Sequence, residues 1–172
     1  AAMKSAGYVA ELPGTDALIA QVQATMRAYY PTGQGDELQP LLDKDLADTL
    51  PLSEYLAWFR ALPQETQRRI ESYWGPPEKS TMLRTVSGGP AFVIPRVRFG
   101  NVVVLRQPPR FEPGTQVVGK AEQVYHRSAV PLSHGYLATY LWLRKRFGAS
   151  AVVHVGTHGT VEWSAGKERG LS

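Results

Sequence analysis

Proline and glycine divide the first half of the chain into short segments, and this punctuation limits which elements can form there. Apolar residues recur at helical spacing from Thr15 to Tyr30, and Pro31 follows, so this segment is predicted to be a helix. The same periodicity predicts three further helices, of which the first is weaker: Glu37 to Leu50, Glu54 to Ala61 and Pro63 to Trp74. Residues from about 7–90 are therefore expected to be mainly helical.

The second half begins with β-rich runs. Phe92 to Arg98 and Val102 to Gln107 read as strands, and Phe99-Gly100-Asn101 between them predicts a hairpin or a tight strand connection. Helical spacing returns from His134 to Phe147, and Ala149 to Val155 is a short continuous apolar run of the kind found in a parallel, doubly covered sheet. The sequence thus predicts an α/β fold, mostly helical in its first half, with a sheet in the motif-bearing portion of about 91–172.

Length and composition fit one globular domain, or one domain with a small appendage. The chain has 172 residues, of which 43% are hydrophobic. Residues 1–6 resemble an artificial junction, and Leu171-Ser172 follow a motif instead of a closing element, so we expect a fragment of a larger protein.

Charge and cysteine content exclude several classes of function. The charged residues are spread along the chain and the net charge is only +4, so no nucleic-acid partner is expected. The chain has no cysteine, which excludes disulfides and thiolate metal sites. No apolar run approaches the roughly 18 residues of a membrane span, and a cytoplasmic location is expected.

A dense group of candidate metal ligands follows the predicted apolar strand. His154, His158 and Glu162 lie within nine residues, on a loop expected to leave the carboxyl end of that strand, where open α/β sheets bind ligands. Gly156 and Gly159 each disfavour a helix by about 1 kcal/mol, so the spacing of four residues does not indicate a shared helical face. The order of residues also differs from the zincin pattern.

Each candidate also has a structural interpretation. A histidine at a strand end is often a hydrogen-bonded structural residue, and Trp163 is more typical of a core or rim aromatic than of a stacking platform. Four arginines alternate along the β-rich segment and would bind carboxylates or line a solvated sheet face: Arg96, Arg98, Arg106 and Arg110.

The second half of the chain resembles the large subunit shared by cobaltochelatase and magnesium chelatase. The resemblance rests on a series of motifs in order: Gly100-Asn101-Val102, Gln107-Pro108-Pro109-Arg110, Tyr125-His126, Pro131 to His134, Tyr136 to Ala138, Tyr140, Trp142, His154 to Trp163 and Gly166-Lys167. The chain departs from the family pattern at Arg127, Ser133 and Ser164-Ala165. The first half is only compatible with the family.

The resemblance implies a subunit that inserts a divalent metal into a tetrapyrrole, while a separate AAA+ partner hydrolyses ATP. The chain has no Walker A motif, which agrees with an ATPase elsewhere. Cobalt and a corrin-ring precursor are favoured over magnesium and protoporphyrin, because Gly156 to Gly159 and Gly166 to Gly170 look closer to the cobalt branch. As a fragment, the chain is expected to be inactive alone.

The resemblance also suggests residue roles. It implies that His154, His158 and Glu162 are catalytic and hold the metal, and that the tetrapyrrole is bound by His126, His134, Trp163 and Arg110. Metal insertion removes two pyrrolic protons and strips water from the ion, for which imidazole and carboxylate are suitable bases and replaceable ligands. Two alternatives are a non-catalytic scaffold that docks the ATPase and a metal-dependent hydrolase, although the sequence offers no convincing further ligand for the latter.

Overall fold

A computed structural model describes residues 14–29, 36–113 and 130–156 of the chain. Helices lead and strands follow, so the predicted α/β class is confirmed. The α-helices are α1 Thr15–Arg27, α2 Gln39–Asp43, α3 Leu52–Arg60, α4 Gln64–Trp74 and α5 His134–Trp142, which continues as a π-helical turn, Leu143–Phe147. A 3₁₀ turn spans Pro77–Lys79, and the strands are β1 Ala47–Pro51, β2 Leu83–Val86, β3 Gly89–Pro95, β4 Val97–Phe99 and β5 Val102–Val104.

The predicted helices are found where the hydrophobic periodicity is strong and prolines mark the boundaries. α3 starts at Leu52 with Pro51 as its N-cap, two residues before the predicted start at Glu54. α4 follows Pro63 and ends at Gly75, whose φ of 79° is unfavourable for other residues. No described helix is both long enough and apolar enough to cross a membrane.

The main sheet has three strands in the order β1-β3-β2, and both of its pairings are antiparallel. Phe92 of β3 lies between Leu50 of β1 and Leu83 of β2. The parallel sheet expected from the sequence is therefore wrong for the described residues. The reason lies in the connections: β2 and β3 are joined by the tight turn at Ser87-Gly88, which permits only antiparallel pairing.

Strand β1 replaces part of a predicted helix. The sequence favoured helix over Glu37 to Leu50, but α2 ends at Asp43 and Asp45 turns the chain with a φ of 54°. Ala47 to Pro51 then pairs with β3, so the sheet overrides a weak local helical pattern. The hairpin predicted around Gly100 is confirmed as the β4-β5 pair.

The core lies where α3 and α5 pack on β3 and β1. Tyr55, Phe59 and Phe92 are at most 1% exposed, and the Tyr55 and Phe92 rings lie 4.7 Å apart. Aromatic pairs tilted at this separation contribute about 0.5–1.5 kcal/mol beyond the area they bury. This aromatic centre fixes the start of α5 relative to the sheet.

Arg96 joins the end of β3 to the turn before β1. Its backbone N–H donates to the Leu46 carbonyl, and its guanidinium donates to Asp48 (Nε–Oδ2 2.8 Å) and Asp45 (Nη2–Oδ1 2.6 Å). Burial opposes the charged form, but the hydrogen bonds to Asp48 and Asp45 outweigh it and raise the pKa of Arg96 above its usual value. Arg96 is 4% exposed, so it does not belong to a solvated sheet face.

The predicted strand from Ala149 to Val155 is wrong in the structure. Gly148 leaves the π-helical turn with a φ of 69°, and the following residues through Gly156 have no regular structure. Val153 and Val155 are 81% and 94% exposed, and no described strand pairs with this segment. An apolar run forms a buried strand only where a partner supplies the hydrogen-bond ladder, and the run itself does not reveal whether that partner is present.

Gly135 provides a test of how closely α5 packs. A Cβ at Gly135 would lie 2.8 Å from Met82 Cγ, and Met82 is 2% exposed. Gly135→Ala is therefore expected to lower the free energy of unfolding by about 1–3 kcal/mol, despite the higher helix propensity of alanine. Urea titration measures the change. Gly88→Ala is the matched control, because nothing lies within 4 Å of its added Cβ, and equal losses in both variants would contradict the packing argument.

The Arg96 interaction is tested against an exposed ion pair. Arg84 also contacts a carboxylate with two nitrogens, Nη2 lying 2.7 Å from Asp36 Oδ1, but the two side chains are 29% and 43% exposed. Arg96→Met is expected to cost about 2 kcal/mol of stability, because charge-assisted hydrogen bonds of a buried group are lost, whereas Arg84→Met should cost about 1 kcal/mol or less. Chemical denaturation of both variants measures the two losses of unfolding free energy. A larger loss in Arg84→Met than in Arg96→Met would refute the argument.

Candidate functional site

The structure describes three of the seven site residues predicted from the sequence. His154 lies at the surface, whereas His134 and Arg110 are buried. His126, His158, Glu162 and Trp163 lie outside the described residues, so their predicted roles stay predictions.

His154 lies against an aromatic side chain of α5. Its imidazole and the Tyr140 ring have centroids 6.3 Å apart and planes inclined by 23°, and Tyr140 stacks in turn on Tyr136 at 5.0 Å and 27°. We call Tyr136, Tyr140 and His154 the aromatic row. Tyr136 is 4% exposed, Tyr140 is half-buried and His154 is exposed, so the row runs from the core to the surface.

Gln107 links the two tyrosines of the aromatic row. Its Nε2 donates to the Tyr136 and Tyr140 hydroxyls, at 3.4 Å in each case. The tyrosines are four residues apart and so lie on one face of α5, while Gln107 follows β5. The Gln107 amide therefore connects the end of the hairpin to the helix that supports His154.

His134 is a structural residue of the core. Its Nε2 lies 2.9 Å from the Gly75 carbonyl oxygen, which only accepts, so Nε2 carries a proton and donates. In the neutral ring Nδ1 then accepts from the Tyr55 hydroxyl at 2.8 Å. Burial, with a smaller contribution from Glu112, raises the pKa of Tyr55 well above its usual value, so the hydroxyl keeps its proton. His134 is 0% exposed, which leaves no surface for a tetrapyrrole in the described structure.

Arg110 and Glu112 form buried hydrogen bonds at and just before the start of α5. Arg110 is 1% exposed, its Nη2 donates to the Val130 carbonyl at 2.8 Å, and burial lowers the pKa of Arg110 from its usual value. Glu112 accepts from the Ser80 hydroxyl at 2.7 Å and from the Gly135 N–H at 3.2 Å. Arg110 thus contacts backbone inside the protein, and the predicted contact with a tetrapyrrole has no exposed surface to use here.

The start of α5 is capped by Ser133, the residue before it, and by Glu112 from a distant part of the chain. The Ser133 hydroxyl accepts the Tyr136 N–H at 3.2 Å, while Glu112 satisfies the Gly135 N–H, so two of the free donors of the first turn are paired. The segment Pro131 to His134, which carries part of the family resemblance, therefore fixes where α5 begins and where the aromatic row lies.

Sequence reasoning missed several residues that shape the site. Glu112 and Tyr55 have no sequence signal, because a hydrogen bond across 79 residues, as between Tyr55 and His134, leaves no local pattern. Gln107 belongs to a resembling motif, but the motif does not indicate which residues it contacts. The pairing of Tyr136 with Tyr140 could be inferred from the sequence, since both belong to the family-resembling motifs and their spacing places them on one helical face. Among the described residues no three His, Asp or Glu side chains are grouped so that they could hold a metal ion.

The buried Tyr55–His134 hydrogen bond can be tested by removing one oxygen. Tyr55→Phe leaves Nδ1 of His134 buried without its partner, so the free energy of unfolding is expected to fall by about 1–3 kcal/mol. Thermal or urea unfolding measures it. Tyr73→Phe is the control, because Tyr73 is 55% exposed and should change stability by less than about 0.5 kcal/mol. A Tyr55→Phe protein as stable as the control would disprove the assigned hydrogen bond.

Comparison with known proteins places the geometry in a family. The family model described as CobN/Magnesium Chelatase matches residues 1–172. The aerobic cobaltochelatase subunit CobN of Sinorhizobium sp is 36% identical over 99% of this chain, and a magnesium-chelatase subunit of Rhodobacter capsulatus is 30% identical over 99% of it. In both comparisons the chain spans 12% of the length of the relative.

A solved structure agrees with these relatives. The catalytic subunit of cobaltochelatase from Mycobacterium tuberculosis superposes with a TM-score of 0.65 at 33% identity, covering 99% of this chain and 14% of that protein. Sequence and fold thus match along the whole chain, including the first half, for which the sequence motifs were only compatible. The chain belongs to the CobN/magnesium chelatase family.

Proposed function

We propose that this chain is a segment of the catalytic, tetrapyrrole-binding subunit of an ATP-dependent cobaltochelatase. In this reaction cobalt enters a corrin-ring precursor, and a partner AAA+ ATPase hydrolyses the ATP. The observation that carries the proposal is the match of the whole chain to cobaltochelatase subunits in both sequence and fold. Magnesium insertion into protoporphyrin is the second candidate. Cobalt is favoured because the cobaltochelatase subunits are 36% and 37% identical to the chain and the magnesium-chelatase subunit of Rhodobacter capsulatus is 30% identical.

In this proposal His154, His158 and Glu162 act on the substrate metal and on the pyrrolic protons. Insertion breaks N–H bonds of the tetrapyrrole and forms metal–nitrogen bonds, so the released protons must pass to nearby bases. His154 is exposed and stacked on Tyr140, which suits a group that accepts a proton or briefly holds the ion. A set of two imidazoles and one carboxylate leaves coordination positions open, so the metal can be passed on.

The buried residues narrow the proposed tetrapyrrole contacts. His134 and Arg110 are at most 1% exposed, so in the proposal they hold α5 in place, and the contacts are left to His126 and Trp163. Most affinity for a flat apolar macrocycle should come from apolar and aromatic area. In the proposal His126 and Trp163 thus bind the ring, whereas His154 and His158 serve the insertion step.

The proposed roles are tested by alanine substitution in a complete large subunit that carries this sequence, assayed with its ATPase partner. His158→Ala and His154→Ala are each expected to lower the maximal insertion rate by about a hundredfold, the scale of losing a general base. Because the ring is bound elsewhere, the tetrapyrrole dissociation constant should change far less. Insertion is followed by absorbance and binding by titration of tetrapyrrole fluorescence.

Two outcomes of this experiment would overturn the assignment. If binding collapses while the rate at saturation is retained, the histidines are binding groups. If neither quantity changes, the segment is a non-catalytic scaffold, as the alternative interpretation holds. Tyr73→Ala is the control for general damage, because Tyr73 is 55% exposed on α4 and does not belong to the aromatic row.

A further inference from the structure

The geometry points to Tyr140 and Gln107 as positioning residues that hold the His154 imidazole in a fixed orientation for metal insertion. This inference rests on the proposed function, in which His154 acts on the metal or on the pyrrolic protons. Tyr140 contacts His154 directly, and Gln107 acts through Tyr140. Neither residue takes part in the proposed chemistry.

His154 needs support from outside its own segment. Ala151 to Gly156 has no regular secondary structure and is exposed, so the backbone there does not restrict the side chain as a helix or strand would. A base or metal ligand works best when its orientation is set before the substrate arrives, because misplacement by about 1 Å costs up to a hundredfold in rate. The ring contact with Tyr140 at 6.3 Å supplies such a restriction.

The Tyr140 ring is itself held in two ways. On its inner side it stacks on Tyr136, which is 4% exposed and fixed in the core. At its hydroxyl it accepts a hydrogen bond from Gln107, whose amide also donates to the Tyr136 hydroxyl. Two tyrosines that stack on each other and share the Gln107 amide form a stiff support, since a change of χ1 at either residue would break a hydrogen bond and a stack together.

The arrangement leaves His154 accessible. Burial falls along the aromatic row from Tyr136 through Tyr140 to His154, so the imidazole rests on protein at one face and meets solvent beyond. A flat substrate or a hydrated metal ion can reach a ring placed in this way. Tyr140 therefore acts on the reaction through the orientation of His154, and Gln107 acts one step earlier through Tyr140.

The test compares variants that keep or remove the ring of residue 140, in the complete subunit with its ATPase partner. Tyr140→Leu removes the stack and is expected to lower kcat by about tenfold, with KM for the tetrapyrrole within about twofold of the original. Tyr140→Phe keeps the ring and should retain kcat within about threefold, and Gln107→Leu should fall between these two. Tyr73→Leu, an exposed tyrosine on α4, is the matched control and should leave kcat unchanged.

A double-mutant cycle separates positioning from general damage. If Tyr140 acts through His154, adding Tyr140→Leu to His154→Gln should cause less than about a twofold further loss, because the group to be positioned is already gone. A full tenfold further loss would overturn the positioning role and leave the proposed function intact. If His154→Gln alone does not lower kcat, both the role of His154 and the positioning of it are refuted. Thermal unfolding of each variant confirms that the protein is folded.

Discussion

The hydrogen bonds of the buried His134 are the constraint on which the rest of the site depends. One imidazole joins the Tyr55 hydroxyl of α3 to the carbonyl of Gly75 at the end of α4, and it does so from the first residue of α5. Three helices are thereby fixed at one point inside a core that excludes water. Every residue placed further along α5 takes its position from that point, including the tyrosines that support His154.

The parts of the fold that depend on local sequence were predictable. α1, α3 and α4 have strong helical periodicity with proline at their boundaries, and the β4-β5 hairpin has its glycine-containing turn. β1 was not predictable, because its pairing with β3 is set by the Arg96 contacts with Asp45 and Asp48, 51 and 48 residues away in sequence. The prediction for the apolar run at Ala149 to Val155 is wrong for the opposite reason: its pattern predicts a buried strand, yet no strand of the described structure pairs with it.

The candidate site shows that a family motif is not a list of ligand-binding groups. His134 and Arg110 belong to motifs that resemble the chelatase family, and both are inaccessible in the structure. Both side chains form hydrogen bonds with backbone carbonyls inside the protein: the His134 imidazole with Gly75 and the Arg110 guanidinium with Val130. From sequence alone such residues look the same as catalytic ones, because both kinds are polar, specific in type and surrounded by glycine, proline and aromatic residues. His154 differs from them in exposure, and exposure was the property that the sequence could not supply.

In the π-helical turn at Leu143–Phe147, the number of residues matters as well as their type, because it determines the direction of the chain that follows. A π-helical turn holds one residue more than an α-helical turn, and each residue of a helix rotates the following chain by about 100° around the axis. The number of residues in this turn therefore sets the direction in which the chain leaves the helix toward His154, whereas the side chains of Arg144, Lys145 and Arg146 face solvent. Loss of one residue there would return the turn to α-helical geometry and change the direction in which the chain leaves α5. Homologous chains should thus keep the length of this turn even where its exposed side chains differ, a pattern that an alignment scored on identity alone would overlook.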